Sequence, residues 1–314
     1  MNKQEIKNHI LKTFWDSWDK NKNISLYLGV FSPEIYEQNE DTIDEIIEEL
    51  KSKEFYNDSY GGEMTGKGIV YSESQNLVEA ERIQYHQSLR HKILSFLFQL
   101  YESKGYSECI HLLELTKKLE ADIDEIAKEH QLLGEIGLVK NHHPSISREG
   151  IEYWNEHLLL ESFKNEFSDL TNLKDITPQQ RGKKLEFLMA KVLEFSGWRQ
   201  EPNVETSYEQ IDVVIHKNRE FYLIECKWEK DPSEAEVIDK LFGKLSRRAG
   251  TGGILISMSG FTKGSVDCVK DFTNQKLILL FGKEDIEQII SNPKSFEELF
   301  NNKYKELVMR RNVV

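Results

Sequence analysis

Two carboxylates and a lysine, set in β-prone apolar runs, are the residues of this chain best suited to chemistry. Asp212 lies in Ile211-Asp212-Val213-Val214, and Glu225 and Lys227 lie in Leu223-Ile224-Glu225-Cys226-Lys227-Trp228. On a strand, residues two apart point the same way, so Glu225 and Lys227 share a face while Ile224 and Cys226 point to the other. A hairpin turning at Lys217-Asn218-Arg219 can bring Asp212 beside Glu225. Carboxylates that close repel one another, and a divalent cation relieves the repulsion. Oxygen ligands of this kind suit Mg2+ or Mn2+. A lysine beside the cation can orient a water and stabilise charge developing on a phosphate. These are the needs of phosphodiester hydrolysis. Charges in otherwise apolar strands are costly without a partner or a metal, which favours this reading.

Each residue also has a plainer reading. Asp212 can be a solvated hairpin-edge residue, and Glu225 with Lys227 an exposed charged strand face. A third acid, Glu186, lies in the preceding helical stretch Arg181-Gly182-Lys183-Lys184-Leu185-Glu186-Phe187-Leu188, where it can equally occupy the polar side. Lys183 and Lys184 on that stretch, and Lys240, Lys244, Arg247 and Arg248 after the motif, can track phosphates or form solvated helix faces. Ser257, Ser259 and Thr262 offer hydroxyls near the same region. Cys109, His111, His142 and His143 lack further ligands at a spacing that would hold a metal. No phosphate-binding GxGxxG, P-loop or GxSxG motif occurs.

The elements that must position these groups follow from periodicity. Thr177-Pro178 marks a helix start, and Leu185, Leu188, Met189, Val192 and Leu193 form one apolar face ending near Gly197. Two strand-like runs follow, Ile211–His216 and Phe221–Trp228, then a helix over about 233–248. The glycine-flanked run Gly253-Ile254-Leu255-Ile256-Ser257 reads as a buried strand. A helix near 263–272, a strand Leu277–Phe281 and a helical terminus complete an α/β pattern.

R-G-x-x-L-E-x-L, I-D-V-V-I, F-x-L-I-E-C-K-W and G-G-I-L-I-S-M-S-G-F-T, over roughly 178–285, resemble the catalytic domain of Mrr-like restriction endonucleases within the PD-(D/E)XK superfamily. The resemblance implies that Asp212 and Glu225 are metal ligands, with the Cys226 carbonyl as a third. It assigns Lys227 to the attacking water and makes Glu186 the accessory acid borne on the helix. The approach to the aspartate, Tyr208-Glu209-Gln210-Ile211, lacks the glycines common in that family, and Glu225 stands where many members carry Gln.

The first half of the chain has another texture. Thr42-Ile43-Asp44-Glu45-Ile46 is echoed by Asp122-Ile123-Asp124-Glu125-Ile126, and Gly68-Ile69-Val70-Tyr71 by Gly150-Ile151-Glu152-Tyr153. In each half a long helical pattern (about 3–18 and 83–103) precedes a second helix, a third starting at the first echo, and the Thr/Ser-x-x-Gly-Ile-x-Tyr segment. This order resembles a tandem pair of winged helix-turn-helix domains. The third helices are acidic, which favours dimerisation or partner docking over DNA contact. A weaker route to DNA runs through Lys67 or Lys140 of the wings.

Charge divides the same way. Residues 1–75 carry 8 Lys+Arg against 15 Asp+Glu, residues 76–160 carry 9 against 14, and residues 161–314 carry 24 against 25. The near-neutral C-terminal half, with its clustered basic residues, can bind DNA, whereas the acidic half is a poor candidate. Three widely spaced cysteines fit a reducing, cytoplasmic setting, and no apolar run is long enough to span a membrane.

The expected architecture is therefore an α/β restriction-endonuclease-like domain at 159–314, a mixed sheet flanked by helices. Two mainly α winged-helix-like domains at 1–78 and 79–158 precede it. The expected activity is Mg2+- or Mn2+-dependent DNA cleavage, in restriction of foreign DNA or anti-phage defence. A homodimer or higher oligomer is expected, since cutting both strands needs two sites, along with a protein partner or activator at the N-terminal domains. The alternatives are a non-catalytic DNA- or partner-binding regulator that keeps the fold, or an RNA nuclease.

Overall fold

A computed structural model describes residues 1–20, 30–57, 62–106, 108–173, 175–206 and 209–313; the side chains of 201–212 are not among those described. The chain divides into two compact units, Met1–Glu156 and His157–Val314.

The first unit is mainly helical. It contains α1 (Lys3–Asp19), α2 (Pro33–Ser52), a two-stranded ribbon of β1 (Tyr56–Asn57) and β2 (Glu63–Met64), and α3 (Gly66–Ser74). Then come α4 (Ala80–Lys104), α5 (Leu112–Leu119), α6 (Ile123–Glu135) and an isolated bridge Val139–Ile146, followed by the start of α7 (Arg148–Asn172). The second echo has a structural cause. Thr65 and Ser147 each accept a hydrogen bond on the side-chain oxygen from the glycine three residues on, Gly68 and Gly150. The backbone N–H of each cap donates to Phe55 O or Leu138 O. A Cβ on Gly68 or Gly150 would stand 2.2 or 2.0 Å from that same carbonyl, so only glycine fits. The first echo differs between the copies. Asp122 caps α6, whereas Thr42–Ile46 lies inside the single continuous helix α2, so the expected separate third helix is not formed in the first copy.

A buried charge cluster ties α1, α3, α4 and α6 together. Arg90 donates Nη1 and Nη2 to the two oxygens of Glu73 at 2.9 and 2.5 Å, and Nε to Glu129 at 2.7 Å. His86, fully buried, bridges Glu129 at 2.6 Å and Asp19 at 2.7 Å. Lys128 and Glu129 of α6 are thus turned inward, and the acidic α6 does not present all its charge to solvent.

The second unit is built on a five-stranded mixed sheet in the order β3-β4-β5-β6-β7, from β3 (Arg199–Thr206), β4 (Glu209–Lys217), β5 (Glu220–Lys227), β6 (Thr251–Ser257) and β7 (Ile278–Phe281). Pairing is antiparallel for β3–β4 and β4–β5 and parallel for β5–β6 and β6–β7. The helices are α8 (Pro178–Phe195), α9 (Ala235–Ser246), α10 (Lys263–Phe272), α11 (Lys283–Ser291) and α12 (Ser295–Arg310). Strand β3 has no counterpart in the sequence pattern. Pro202 and its charged neighbours weaken the strand signal, and β3 is accordingly an edge strand, where a residue lacking an N–H is tolerated.

The β4–β5 hairpin turns on Asn218 and Arg219, both at positive φ (52° and 74°), as a tight two-residue connection requires. Helices cover both faces of the sheet. A Cβ on Gly253 would meet Leu241 and Leu245 of α9, whereas one on the preceding Gly252 would meet the Tyr222 ring, which itself packs on Phe300 of α12. Apolar alternation along β5 and β6 thus builds the core between helical layers. Each fully buried Leu or Ile there contributes about 1.5–3 kcal/mol.

Candidate active site

The site forms at the end of β5, where the core strand still carries two charges. Glu225 pairs in register with Leu255, and Lys227 with Ser257. Alternation puts both on the face covered by α9, because Leu223, two residues before Glu225, pairs with Gly253 beneath Leu241 and Leu245. Glu225 and Lys227 are each partly buried, at 19% and 28% side-chain exposure. Lys227 Nζ donates to Glu225 Oε1 at 2.7 Å. The second carboxylate oxygen, Oε2, accepts from Lys244 Nζ of α9, also at 2.7 Å. One carboxylate therefore pairs with two ammonium groups.

These contacts set the charge states. Burial by itself would push the Glu225 carboxyl up, but hydrogen bonds and attraction from Lys227 and Lys244 outweigh it and hold the group below the ordinary carboxylate range. Burial would push Lys227 down, yet Glu225, assisted by Glu186 and Glu229, raises it above an ordinary lysine. Both groups are thus held ionised.

Glu186 reaches the same strand from the other direction. Its carboxylate, buried on α8, accepts from the backbone N–H of Cys226 at 3.0 Å, between the glutamate and the lysine of the motif. Gly182, one turn earlier, makes this possible, since a Cβ there would lie 2.9 Å from Cys226 O. The spacing Gly182-x-x-x-Glu186 is therefore a docking device. The glycine lets α8 close onto β5, and the glutamate then accepts from the Cys226 N–H. Thr177 and Gln180 form a capping box that fixes the start of α8.

The side chain of Asp212 lies outside the described residues. Its backbone is in β4, next to Val213, which pairs with Ile224, the residue before Glu225. Among the described residues no group of three or more His, Cys, Asp or Glu is arranged to hold a metal; Glu225 is the acid that β5 carries beside Lys227. A partly buried carboxylate held ionised on a core strand suits a divalent cation in donor chemistry.

The expected basic residues separate. Lys183, Lys184 and Arg247 are exposed, and Lys240 is exposed and paired with Glu236 at 2.8 Å. Arg248 donates Nη1 to Lys244 O at 2.6 Å, at the end of α9. Lys244 is drawn into the site, as above. The hydroxyls of the 257–262 loop are engaged within the protein. Ser257 donates to Gly260 O and accepts from Ser233, Ser259 donates to Glu229 O, and Thr262 caps α10. The contact of Lys244 with Glu225 had no local sequence signal, since it joins a strand to a helix 19 residues later.

Residues 178–289, from α8 into α11, match the model of the Mrr_cat family, described as restriction endonuclease. No curated protein and no solved structure matches the chain. The match begins at Pro178, the first residue of α8, and takes in Gly182, Glu186, the β4–β5 hairpin and the parallel strands beyond it. Within the C-terminal unit, residues 178–289 thus match an Mrr-like restriction endonuclease domain of the PD-(D/E)XK type.

Proposed function

We propose that the protein is a metal-dependent DNA endonuclease whose active site comprises Asp212, Glu225, Lys227 and Glu186. The observation that carries this reading is the hydrogen-bonded Glu225–Lys227 pair on one face of a core strand, inside the segment that matches the restriction endonuclease family. Asp212 and Glu225, with the Cys226 carbonyl, would hold Mg2+ or Mn2+; that cation, when bound, supplies Lewis-acid stabilisation of the phosphate oxygens. Strand pleat supports the pairing of the two acids, because position 212 is two residues from Val214, whose partner Leu223 is two residues from Glu225. Lys227, an ammonium raised above its ordinary value, orients the attacking water and offsets charge developing on the phosphate. Glu186 fixes the strand backbone between the two motif residues and adds negative charge near Lys227. Lys183, Lys184, Lys240, Arg247 and Arg248 would lie along the phosphate backbone. The acidic N-terminal unit, read as paired winged-helix-like domains, would serve oligomerisation or the docking of an activator, and the setting would be restriction of foreign DNA or defence against phage.

Plasmid cleavage with Mg2+ or Mn2+ tests the proposal. The wild type should nick or linearise the plasmid, and Asp212→Ala and Lys227→Ala should each lose at least about 100-fold of that rate. Equal cleavage by all three proteins would put the chemistry on other residues. Faster cleavage of RNA than of DNA would make the protein an RNA nuclease.

A further inference from the structure

Lys244 has a place that phosphate binding does not explain. It sits on α9, its side chain is 26% exposed, and its ammonium lies on Glu225 Oε2 rather than toward solvent. Glu225 Oε1 is taken by Lys227. Both oxygens of the carboxylate that would ligate the cation are therefore covered by ammonium groups at 2.7 Å. Oxygen ligands lie about 2.0–2.6 Å from Mg2+ or Ca2+, so a cation on either oxygen would stand close to the ammonium already there and repel it.

The two lysines are not equivalent in this exchange. Lys227 is fixed to the same strand two residues from Glu225 and is also attracted by Glu186 and Glu229. Lys244 comes from another element, at the end of a long side chain that reaches in from α9. Glu225 with its two lysines carries a net charge of +1, which repels an incoming divalent cation until one ammonium withdraws.

We infer that Lys244 is a place-holder for the metal ion on Glu225: a positioning residue that holds the carboxylate oriented until a cation binds, and that binding of the cation displaces. This inference rests on the proposal that Glu225 is a metal ligand. It gives Lys244 a role opposite in sign to that of an ordinary active-site group, because removing it strengthens metal binding. It also makes metal affinity depend on α9, an element that contributes no metal ligand of its own.

The test is Mn2+ binding to the 314-residue chain, followed by calorimetry and by the electron paramagnetic resonance of free Mn2+. The variants are Lys244→Met, Lys244→Gln, Lys270→Met and Glu225→Gln, each checked for folding by circular dichroism. Lys244→Met and Lys244→Gln should bind Mn2+ about tenfold more tightly than the wild type, the size expected for one unit charge removed from a partly solvated site. Lys270→Met removes a charge from α10, where the side chain is 41% exposed, and should bind as the wild type does. Unchanged or weaker binding in both Lys244 variants, with binding lost in Glu225→Gln, would overturn the place-holder role and leave the metal site standing. Wild-type binding in Glu225→Gln, or no binding by any protein, would overturn the metal assignment and the inference with it.

Discussion

Replacing Gly182 by alanine isolates the close approach on which the site depends. Gly182 lies inside α8, where alanine is favoured over glycine by about 1 kcal/mol. The same gain is available at Gly243 inside α9, where an added Cβ meets nothing within 4 Å. At Gly182 the new methyl would stand 2.9 Å from Cys226 O, whereas an ordinary contact begins at 3.4 Å. Helix or strand must therefore retreat by about half an ångström, and overpacking of this kind costs about 1–3 kcal/mol. The retreat also stretches the 3.0 Å hydrogen bond from Cys226 to Glu186, which removes part of a charge-assisted interaction. Gly243→Ala should therefore raise the melting transition of the C-terminal unit by about 2–4 °C, while Gly182→Ala leaves it unchanged or lowers it by several degrees. Because β5 carries Glu225 and Lys227, the same displacement should slow plasmid cleavage by about tenfold in Gly182→Ala, with Gly243→Ala at the wild-type rate. Calorimetry and a cleavage time course on both variants give the answer. Equal stabilisation by the two substitutions would refute the argument, since it would mean that α8 does not touch β5 tightly enough for a methyl group to matter.

Arg90→Ala should destabilise the N-terminal unit by about 3–5 kcal/mol, because it strands the buried carboxylates of Glu73 and Glu129, and denaturant melts should show the loss. The Glu225–lysine cluster should show a defined pH window when melts are run in chelator. The Glu225 carboxyl is held below its ordinary 4.5, so its contribution is complete above 4.5 and lost as pH falls through the lower folded value. Lys227 is raised above 10.5, so its contribution persists up to 10.5 and is lost only as pH rises beyond the raised value. The stability difference between wild type and Glu225→Gln should accordingly be flat across neutral pH and shrink in acid, and a constant difference down to pH 3 would contradict the assigned ionisation.

The sequence by itself determined the local facts of this protein. Period-two alternation around Glu225 and Lys227 put both on one face of a strand, and the structure has them there, sharing a hydrogen bond. The 3–4 spacing of Leu185, Leu188, Met189 and Val192 defined the buried side of α8, and the Gly-flanked run 253–257 defined a core strand. The Gly68 and Gly150 echoes were legible as a repeat because one steric requirement, a glycine pressed against a carbonyl, recurs in both halves.

Tertiary structure alone decided the rest. Strand β3 was hidden because Pro202 and its polar neighbours carry no alternating apolar signal, and an edge strand needs none. The first I-D-E-I echo falls within the long α2, so Thr42, a residue type able to cap a helix, does not start one there as Asp122 does at α6. Spacing placed Glu186 on a helix but could not say that its carboxylate would accept from the Cys226 N–H, 40 residues away. Nor could it say that Lys244 would cross from α9 to Glu225, or that His86 and Arg90 would draw Asp19, Glu73 and Glu129 into one buried cluster. Periodicity reports which side of an element is buried. Which charges meet across elements depends on how closely those elements approach, and that distance is fixed by packing.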